Sequence, residues 1–279
     1  AVFCDEKCRS QAWEKYHRYE CKFISLFSIQ IAKPCQMIFR LLLTFGPEMA
    51  LNIYDNPEPQ PDDDYQLKQY KMFLTLYHHR KKQDPNTLAL VTVTSIIMAH
   101  FIDYLSILNH DLSTIKKVFS FFISNQLRCI VNGFTSYSRL SIYEKVATAD
   151  AICVWSALIN HSCDPSVDWN VHDGQMVMIT EKAIQQNKEV MISYGPNIDM
   201  KFRQRQKHLN YIYHFVCRCN LCTEQAYKEP AFQCLSCGGP VVFEKFHFDN
   251  DKLYCFYCNT QYDEAQDAYL EVSKLEGAL

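Results

Sequence analysis

"LINHSCDPSV", residues 158–167, sets Asn160, His161, Ser162 and Cys163 in a row between an apolar run and an Asp-Pro turn signal. A lone cysteine directly behind an asparagine and a histidine needs a partner, and candidates lie further along the chain. Cys217-Arg218-Cys219-x2-Cys222 brings only three cysteines within reach of one another, one short of a closed tetrahedral site. A fourth ligand from elsewhere completes it, and Cys163 is an unpaired candidate. It would staple the segment after residue 216 back over the Asn160–His161 turn. The alternative keeps Cys163 as a buried thiol and completes the set with water or His214.

The cysteine usage as a whole suits metal. The chain has 279 residues, 14 of them cysteine, with 48% hydrophobic and 21% charged residues, enough for one sizeable core plus small satellite modules. Eleven cysteines fall into three groups at metal-like spacings, which fits a reducing cytoplasm or nucleus better than a disulfide scaffold. Cys35, Cys129 and Cys153 stand alone in apolar surroundings and read as core. Cys234-x2-Cys237-Gly238-Gly239, followed by Cys255-x2-Cys258, reads as two knuckles converging on one zinc, with "PVVFEKFHF" and "KLYCFYC" as the strands between and around them. Four thiolates leave no open position, so this ribbon is structural.

Composition also excludes. The net charge is -3 and no basic run is interleaved with aromatics, which argues against direct nucleic-acid binding. The seven glycines form no G-x-G, which excludes a Rossmann-type methyltransferase or nucleotide loop. The least charged stretch, Thr87 to Ile102, contains Thr, Ser and His and ends at Asp103; it reads as too short and too polar for a membrane span, and as a buried helix. No signal sequence opens the chain, which starts Ala-Val-Phe-Cys without Met and reads as a fragment.

Apolar spacing of three and four predicts helices over 64–80, 87–108 and 112–130, after an exposed proline-rich acidic connector at 55–65. His78, His79, His100 and His110 show no metal spacing. Strands are predicted at "QMVMIT" (175–180), after a His172-Asp173-Gly174 turn, and at "EVMISYG" (189–195), with Asn187 tolerating a left-handed turn before it. Residues 199–215 predict a helix whose Lys and Arg residues form a solvated face, and "YDEAQDAYLEVSKLEGAL" (262–279) predicts the start of another.

"NHSCDP" (160–165), "VMISYG" (190–195) and "YHFVCRCNLC" (213–222), in that order, resemble the core of a SET-domain protein lysine methyltransferase with its post-SET cysteines. "FCDEKCRSQAWEKYHRYEC" (3–21) resembles the second half of a MYND zinc finger, with Cys4, Cys8, His17 and Cys21 in ligand positions, and the combination points to the SMYD type. The resemblance implies an α+β fold: a SET β-fold with a helical insert, a post-SET zinc site and a C-terminal zinc ribbon. It divides the chain into a partial finger (1–22), helical linker and insert (23–129), SET core (130–198), post-SET helix and cluster (199–228), ribbon (229–262) and the start of a helical region (263–279). In the family an N-terminal strand pair carrying G-x-G and two earlier finger cysteine pairs would precede residue 1.

Site roles follow from the same resemblance. Asn132, Ala157, Asn160 and His161 match residues contacting S-adenosylmethionine, while Tyr213 and Phe215 match aromatics packing near it. Phe134, Tyr194 and Tyr213 match the substrate-lysine tunnel, with Tyr194 as the catalytic tyrosine. Cys163, Cys217, Cys219 and Cys222 match the post-SET zinc ligands. The implied partners are a protein substrate bearing lysine and proline-containing peptides for the finger, with no nucleic acid and no membrane. The other reading is an inactive zinc scaffold that mediates protein interactions in transcriptional regulation.

Overall fold

The structure is a computed structural model that describes residues 3–28, 33–139, 145–172, 175–195, 200–226, 232–243 and 253–262. The chain divides into two units, residues 1–133 and 134–279. The first is helical. A nearly continuous run leads from α1 (Glu6–Ala12) through a π-helical turn at Trp13–His17, α2 (Arg18–Glu20) and a tight turn at Cys21–Phe23 into α3 (Ile24–Ser28). Asp5 caps it, its carboxylate accepting from the Cys8 N–H at 2.7 Å.

Within the helical linker expected over 23–129, α4 (Lys33–Phe45) and α5 (Pro47–Asp55) turn about Gly46 at φ 80°, with Pro47 opening α5. They pack with α6 (Tyr65–Thr75), α7 (Pro85–Tyr104) and α8 (Leu112–Asn132) around Ile38, Phe39, Leu42, Leu51, Phe73, Phe121 and Phe122, all buried. α6 is shorter than the predicted 64–80, because Leu76 leaves helical geometry and His79 turns left-handed at φ 46°. α8 is buried all round from Phe121 to Arg128, so its polar side chains need internal partners. Gln126 donates to Ser95 Oγ (2.8 Å), Arg128 Nη1 to Asn125 (2.9 Å) and Arg128 Nε to the Leu76 carbonyl (3.0 Å).

α7 corrects the expectation for Thr87–Ile102. With 20 residues it is long and apolar enough, by length and composition, to cross a membrane. It is also only half buried: Val91, Ser95, Met98 and Ile102 face the core, while Leu90, Val93, Ile96 and Ile97 are exposed. Its Ser95 and Thr94 hydroxyls bond Gln126 of α8, as expected of a helix fixed inside the unit. Asp84 caps it, accepting from Asn86 and Thr87 N–H at 3.0 Å each. Asp84→Ala should cost the chain about 1 kcal/mol, read as a lower denaturation midpoint at unchanged m-value; an unchanged midpoint would remove the cap from the account.

Glu20 ties the first helical run to α4. Its fully buried carboxylate receives a two-nitrogen fork from Arg40 (2.5 and 3.0 Å), with His17 Nδ1 at 3.2 Å and Gln36 at 3.3 Å. Burial opposes its charge, and the Arg40 fork overrides that, holding it below the usual carboxylate range.

Among its described residues the second unit carries three small antiparallel sheets. β1 (Phe134–Arg139) pairs with β2 (Lys145–Ala151), and β3 (Val167–His172) with β4 (Gln175–Thr180). β4 is the predicted "QMVMIT". Phe134 meets Trp169 edge to face at 4.9 Å, joining the hairpins over buried Val167 and Ile192. α9 (Phe202–Tyr213) and α10 (Asn220–Ala226) follow, then four short strands in the order β5 (Phe232–Gln233), β6 (Pro240–Phe243), β7 (Leu253–Cys255), β8 (Gln261–Tyr262).

Three expectations change here. "EVMISYG" forms no strand: Ile192 makes a single parallel bridge to His161, and Met191 accepts from Ser166 and Val167, so the segment threads between two stretches instead of extending a sheet. α9 stops at Tyr213 because His214 is left-handed (φ 59°), and its basic residues are not all solvated: Arg205 is fully buried. Cys35 is core, while Cys129 and Cys153 are only partly buried. Asn187 is left-handed as predicted (φ 64°). The Asp173-Gly174 turn, the end of "PVVFEKFHF" and the helix predicted over 263–279 lie outside the described residues.

Candidate active site and thiolate clusters

The Asn160–Cys163 stretch is held by the bridge just described. Ile192 N–H donates to the Asn160 carbonyl and Ser162 N–H to the Ile192 carbonyl, both at 3.0 Å. A parallel bridge uses the peptide groups flanking its central residue, so the N–H and C=O of His161 itself point to the opposite edge. The His161 ring is buried and fixed at both nitrogens: Nδ1 accepts from Tyr194 N–H (3.0 Å), and Nε2 lies 3.2 Å from Cys163 Sγ. Because Nδ1 is an acceptor, the ring proton sits on Nε2 and points at the sulfur. Burial pushes His161 down to about 4, so the ring is neutral.

Around it stand three aromatic rings. Tyr194 lies 5.1 Å from His161 and 4.9 Å from Tyr213; Phe215 lies 5.9 Å from His161 and stands edge-on to Tyr194 at 6.3 Å. Tyr194 Oη donates to the Ile159 carbonyl (2.6 Å), and Tyr213 Oη to the Tyr194 carbonyl (2.9 Å). Burial raises both phenols, Tyr194 further through the charge of Glu189 and Tyr213 to about 12, so both stay protonated near neutral pH.

Asn160 is exposed, its amide donating to Glu189 Oε1 at 2.5 Å. Ala157 lies on a tight turn with its N–H on the Cys153 carbonyl (2.9 Å), flanked by Trp155 and Leu158, whose apolar side chains are more than half exposed. Phe134 packs on Trp169 beside Val167 and Ile192, a buried set against which Ala157 and Tyr194 also pack. Asn132 closes α8 in the first unit, where its amide donates to the Tyr77 (2.8 Å) and Arg128 (2.9 Å) carbonyls.

Cys163, Cys217, Cys219 and Cys222 do converge, their sulfurs all within 4.8 Å of one another, and His214 is not among them. Cys163 lies 3.8 Å from Cys217 and 3.5 Å from Cys222. A tetrahedron with sulfurs about 2.3 Å from its centre has edges of about 3.8 Å, so the set fits zinc. The close approach of the four sulfurs splits their titration: hydrogen bonding among them raises Cys163 above the ordinary thiol range and holds Cys219 below it. Tyr194, Tyr213 and Phe215 pack directly on this cluster. Gln206 clamps Cys217 from α9, accepting from its N–H (3.0 Å) and donating to its carbonyl (2.8 Å).

The ribbon repeats the fit with Cys234, Cys237, Cys255 and Cys258, whose sulfurs lie within 4.8 Å of one another. In one knuckle Gly238 is left-handed (φ 71°) and its N–H returns to the Cys234 carbonyl (2.8 Å); in the other Asn259 (φ 61°) does the same to Cys255 (3.0 Å). A Cβ on Gly239 would sit 2.5 Å from the Tyr257 ring and 3.2 Å from Cys255 Sγ, which explains glycine there. The ribbon packs against the first cluster through Phe256 on Phe202 (5.5 Å) and Tyr257 Oη on the Thr223 carbonyl (3.0 Å). At the N-terminus Cys4 and Cys8 sulfurs approach to 2.9 Å beside Asp5, but His17 turns to Glu20 and Cys21 is exposed. Cys4 and Cys8 are thus paired with each other and not gathered with His17 and Cys21.

Sequence reasoning did not single out Trp155, Glu189, Arg205 or Gln206. The last two were readable as a buried stripe, Phe202, Arg205, Gln206 and Leu209 at helical spacing, masked by the charge of the first of the pair.

A family model described as SET domain matches residues 48–195, more than half of the chain. The chain is 22% identical to "Protein-lysine N-methyltransferase SMYD4" of Pongo abelii over 91% of its length and 40% of that protein's, and 22% identical to the protein of the same name from Homo sapiens over 86% and 39%. It is also 22% identical to "SET and MYND domain-containing protein DDB_G0277331" of Dictyostelium discoideum, over 79% of this chain and 39% of that one. The chain thus spans about two-fifths of the length of these curated relatives. With the SET match crossing the His161–Ile192 bridge, and SET-and-MYND relatives aligning with most of its length, the chain belongs to the SET-domain family as a SMYD-type protein.

Proposed function

We propose that this chain is the methyl-transfer portion of an S-adenosylmethionine-dependent protein lysine methyltransferase whose two cysteine quartets hold zinc. The observation that carries the reading is the Tyr194–Tyr213–Phe215–His161 cluster, packed on a four-sulfur set at the bridge between residues 160–162 and 191–192. The residues fit the cofactor: Asn160 offers an exposed amide, Trp155 and Leu158 offer exposed apolar surface beside Ala157, and the bridge turns the His161 peptide groups outward. S-adenosylmethionine, when bound, supplies a sulfonium methyl group to a neutral lysine amine.

The chain's own residues then have three tasks. Tyr194 and Tyr213 provide partly buried ring faces that disfavour the ammonium form of lysine and tolerate a methylated cation. The Tyr194 hydroxyl spends its proton on the Ile159 carbonyl, so its lone pairs are left to accept an N–H and aim the amine. The Cys163–Cys217 and Cys163–Cys222 approach fixes Tyr213 and Phe215, which precede Cys217, beside His161. Clustered free thiols suit the cytoplasm or nucleus, and the substrate is a lysine-bearing protein.

Calorimetric titration of S-adenosylmethionine into the zinc-loaded full-length protein tests the reading. Binding is expected, weakened about tenfold or more by Asn160→Ala, which removes a hydrogen bond to a charged ligand. Absence of heat from fully zinc-loaded protein would defeat the enzyme reading and leave the stretch as an anchored turn in an interaction scaffold.

A further inference from the structure

Arg205 is buried, and among the described residues no carboxylate pairs with it. Its Nη2 donates to Cys222 Sγ at 3.6 Å and Gln225 Oε1 at 2.8 Å, its Nη1 donates to the Met200 carbonyl, and its Nε has no hydrogen-bond partner. A buried guanidinium with no compensating negative charge is strongly unfavourable. Among the described residues the counter-charge facing it is the sulfur set itself. Four thiolates around a divalent metal carry a net charge of minus two, and a cation against one sulfur removes half of that.

We propose that Arg205 is a positioning residue for the metal centre of Cys163, Cys217, Cys219 and Cys222, holding Cys222 in place and shielding its sulfur from electrophiles. An N–H donated to a thiolate draws electron density from it and lowers its nucleophilicity. His161 Nε2 does the same for Cys163, so two of the four sulfurs are covered by fixed donors. The ribbon supplies the contrast. Its sulfurs meet neutral donors among the described residues: Tyr262 Oη at Cys234 (2.8 Å), Thr260 Oγ1 at Cys258 (3.0 Å) and the Tyr257 and Cys258 N–H groups at Cys255 (3.4 and 3.5 Å). Among the described residues one thiolate site therefore has a guanidinium against a sulfur, while the other meets neutral donors alone. The consequence is positional as well, because Tyr213 and Phe215 ride on the covered cluster.

The proposal rests on the zinc reading, and the test separates the two. Full-length zinc-loaded protein is treated with N-ethylmaleimide, and alkylation of each cysteine is timed by mass spectrometry of the digest, before and after removal of metal with a chelator. Unchanged rates at Cys163, Cys217, Cys219 and Cys222 after chelation would mean no metal, and the zinc reading fails whatever Arg205 does. Given protection by metal, Arg205→Met is expected to accelerate alkylation of Cys222 about tenfold, with ribbon rates unchanged and Arg205→Lys restoring most of the protection. A wild-type rate at Cys222 in Arg205→Met overturns the proposal. So does equal acceleration at both clusters, which would be general loosening. If Arg205→Met does not fold, Gln225→Ala, which frees Nη2 from its amide anchor, is expected to speed Cys222 about threefold, and no change there overturns it.

Discussion

Tyr194→Phe in the full-length protein should lower single-turnover methyl transfer to a lysine peptide about 100-fold, the order of loss that misplacing a reacting group by about 1 Å produces. The substitution removes one oxygen and keeps the ring, so the contacts with His161 (5.1 Å) and Tyr213 (4.9 Å) survive. What goes is the hydroxyl held by the Ile159 carbonyl at 2.6 Å, and with it the acceptor that aims the amine. S-adenosylmethionine affinity and zinc content should be unchanged, since Tyr194 belongs to neither the quartet nor the exposed turn at Ala157. Activity within threefold of wild type, or a loss explained entirely by weaker cofactor binding, would remove the hydroxyl from the mechanism.

The second large effect is expected from Cys222→Ser. Cys222 is fully buried, 3.5 Å from Cys163 and touched by Arg205, so it would hold a metal of the quartet and ties the segment after α9 back to the Asn160 stretch. Structural zinc contributes about 10–16 kcal/mol in small peptide modules, as much as the entire net stability of an ordinary domain. Loss of one zinc equivalent by elemental analysis should therefore accompany loss of amide-exchange protection across Phe202–Tyr213, with the ribbon still loaded. Retention of every zinc with wild-type exchange would show that the quartet is not a folding element.

The parts of this site that rest on local chemistry were legible in the chain. C-x2-C knuckles and the C-x-C-x2-C triplet announce sulfur convergence because a metal fixes ligand spacing more tightly than packing does, and both quartets formed. The helices over 65–75, 85–104 and 112–132 were visible from periodicity, their starts marked by Asp64, Asp84 and Asp111 accepting from the first turns. Lost were the features set by distant partners. "EVMISYG" has the composition of a strand, but its Met191 and Ile192 peptide groups are taken by residues 160–167, and a segment threaded between two stretches has no local signature. Arg205 reads as surface until the sulfurs that neutralise it are known. The bond from Glu20 to His17 Nδ1 was likewise hidden, because the placement of Glu20 depends on Arg40 twenty residues later.

The bridge at Cys163 also sets a schedule for assembly. Cys163 and Cys222 are separated by 59 positions, and at ribosomal rates of 5–20 residues per second the first sulfur is made roughly 3 to 12 s before the last. Closing so long a loop brings its reward only at the end, after the intervening hairpin and α9 have been synthesised. Throughout that interval Cys163 is a thiol without its partners, and the neighbouring Asn160–His161 turn lacks the aromatic rings that follow Tyr211. The ring cluster beside His161 is therefore completed only once residue 222 has been made, and a nascent chain exposed to oxidants before then is open to attack at the first cysteine of the quartet.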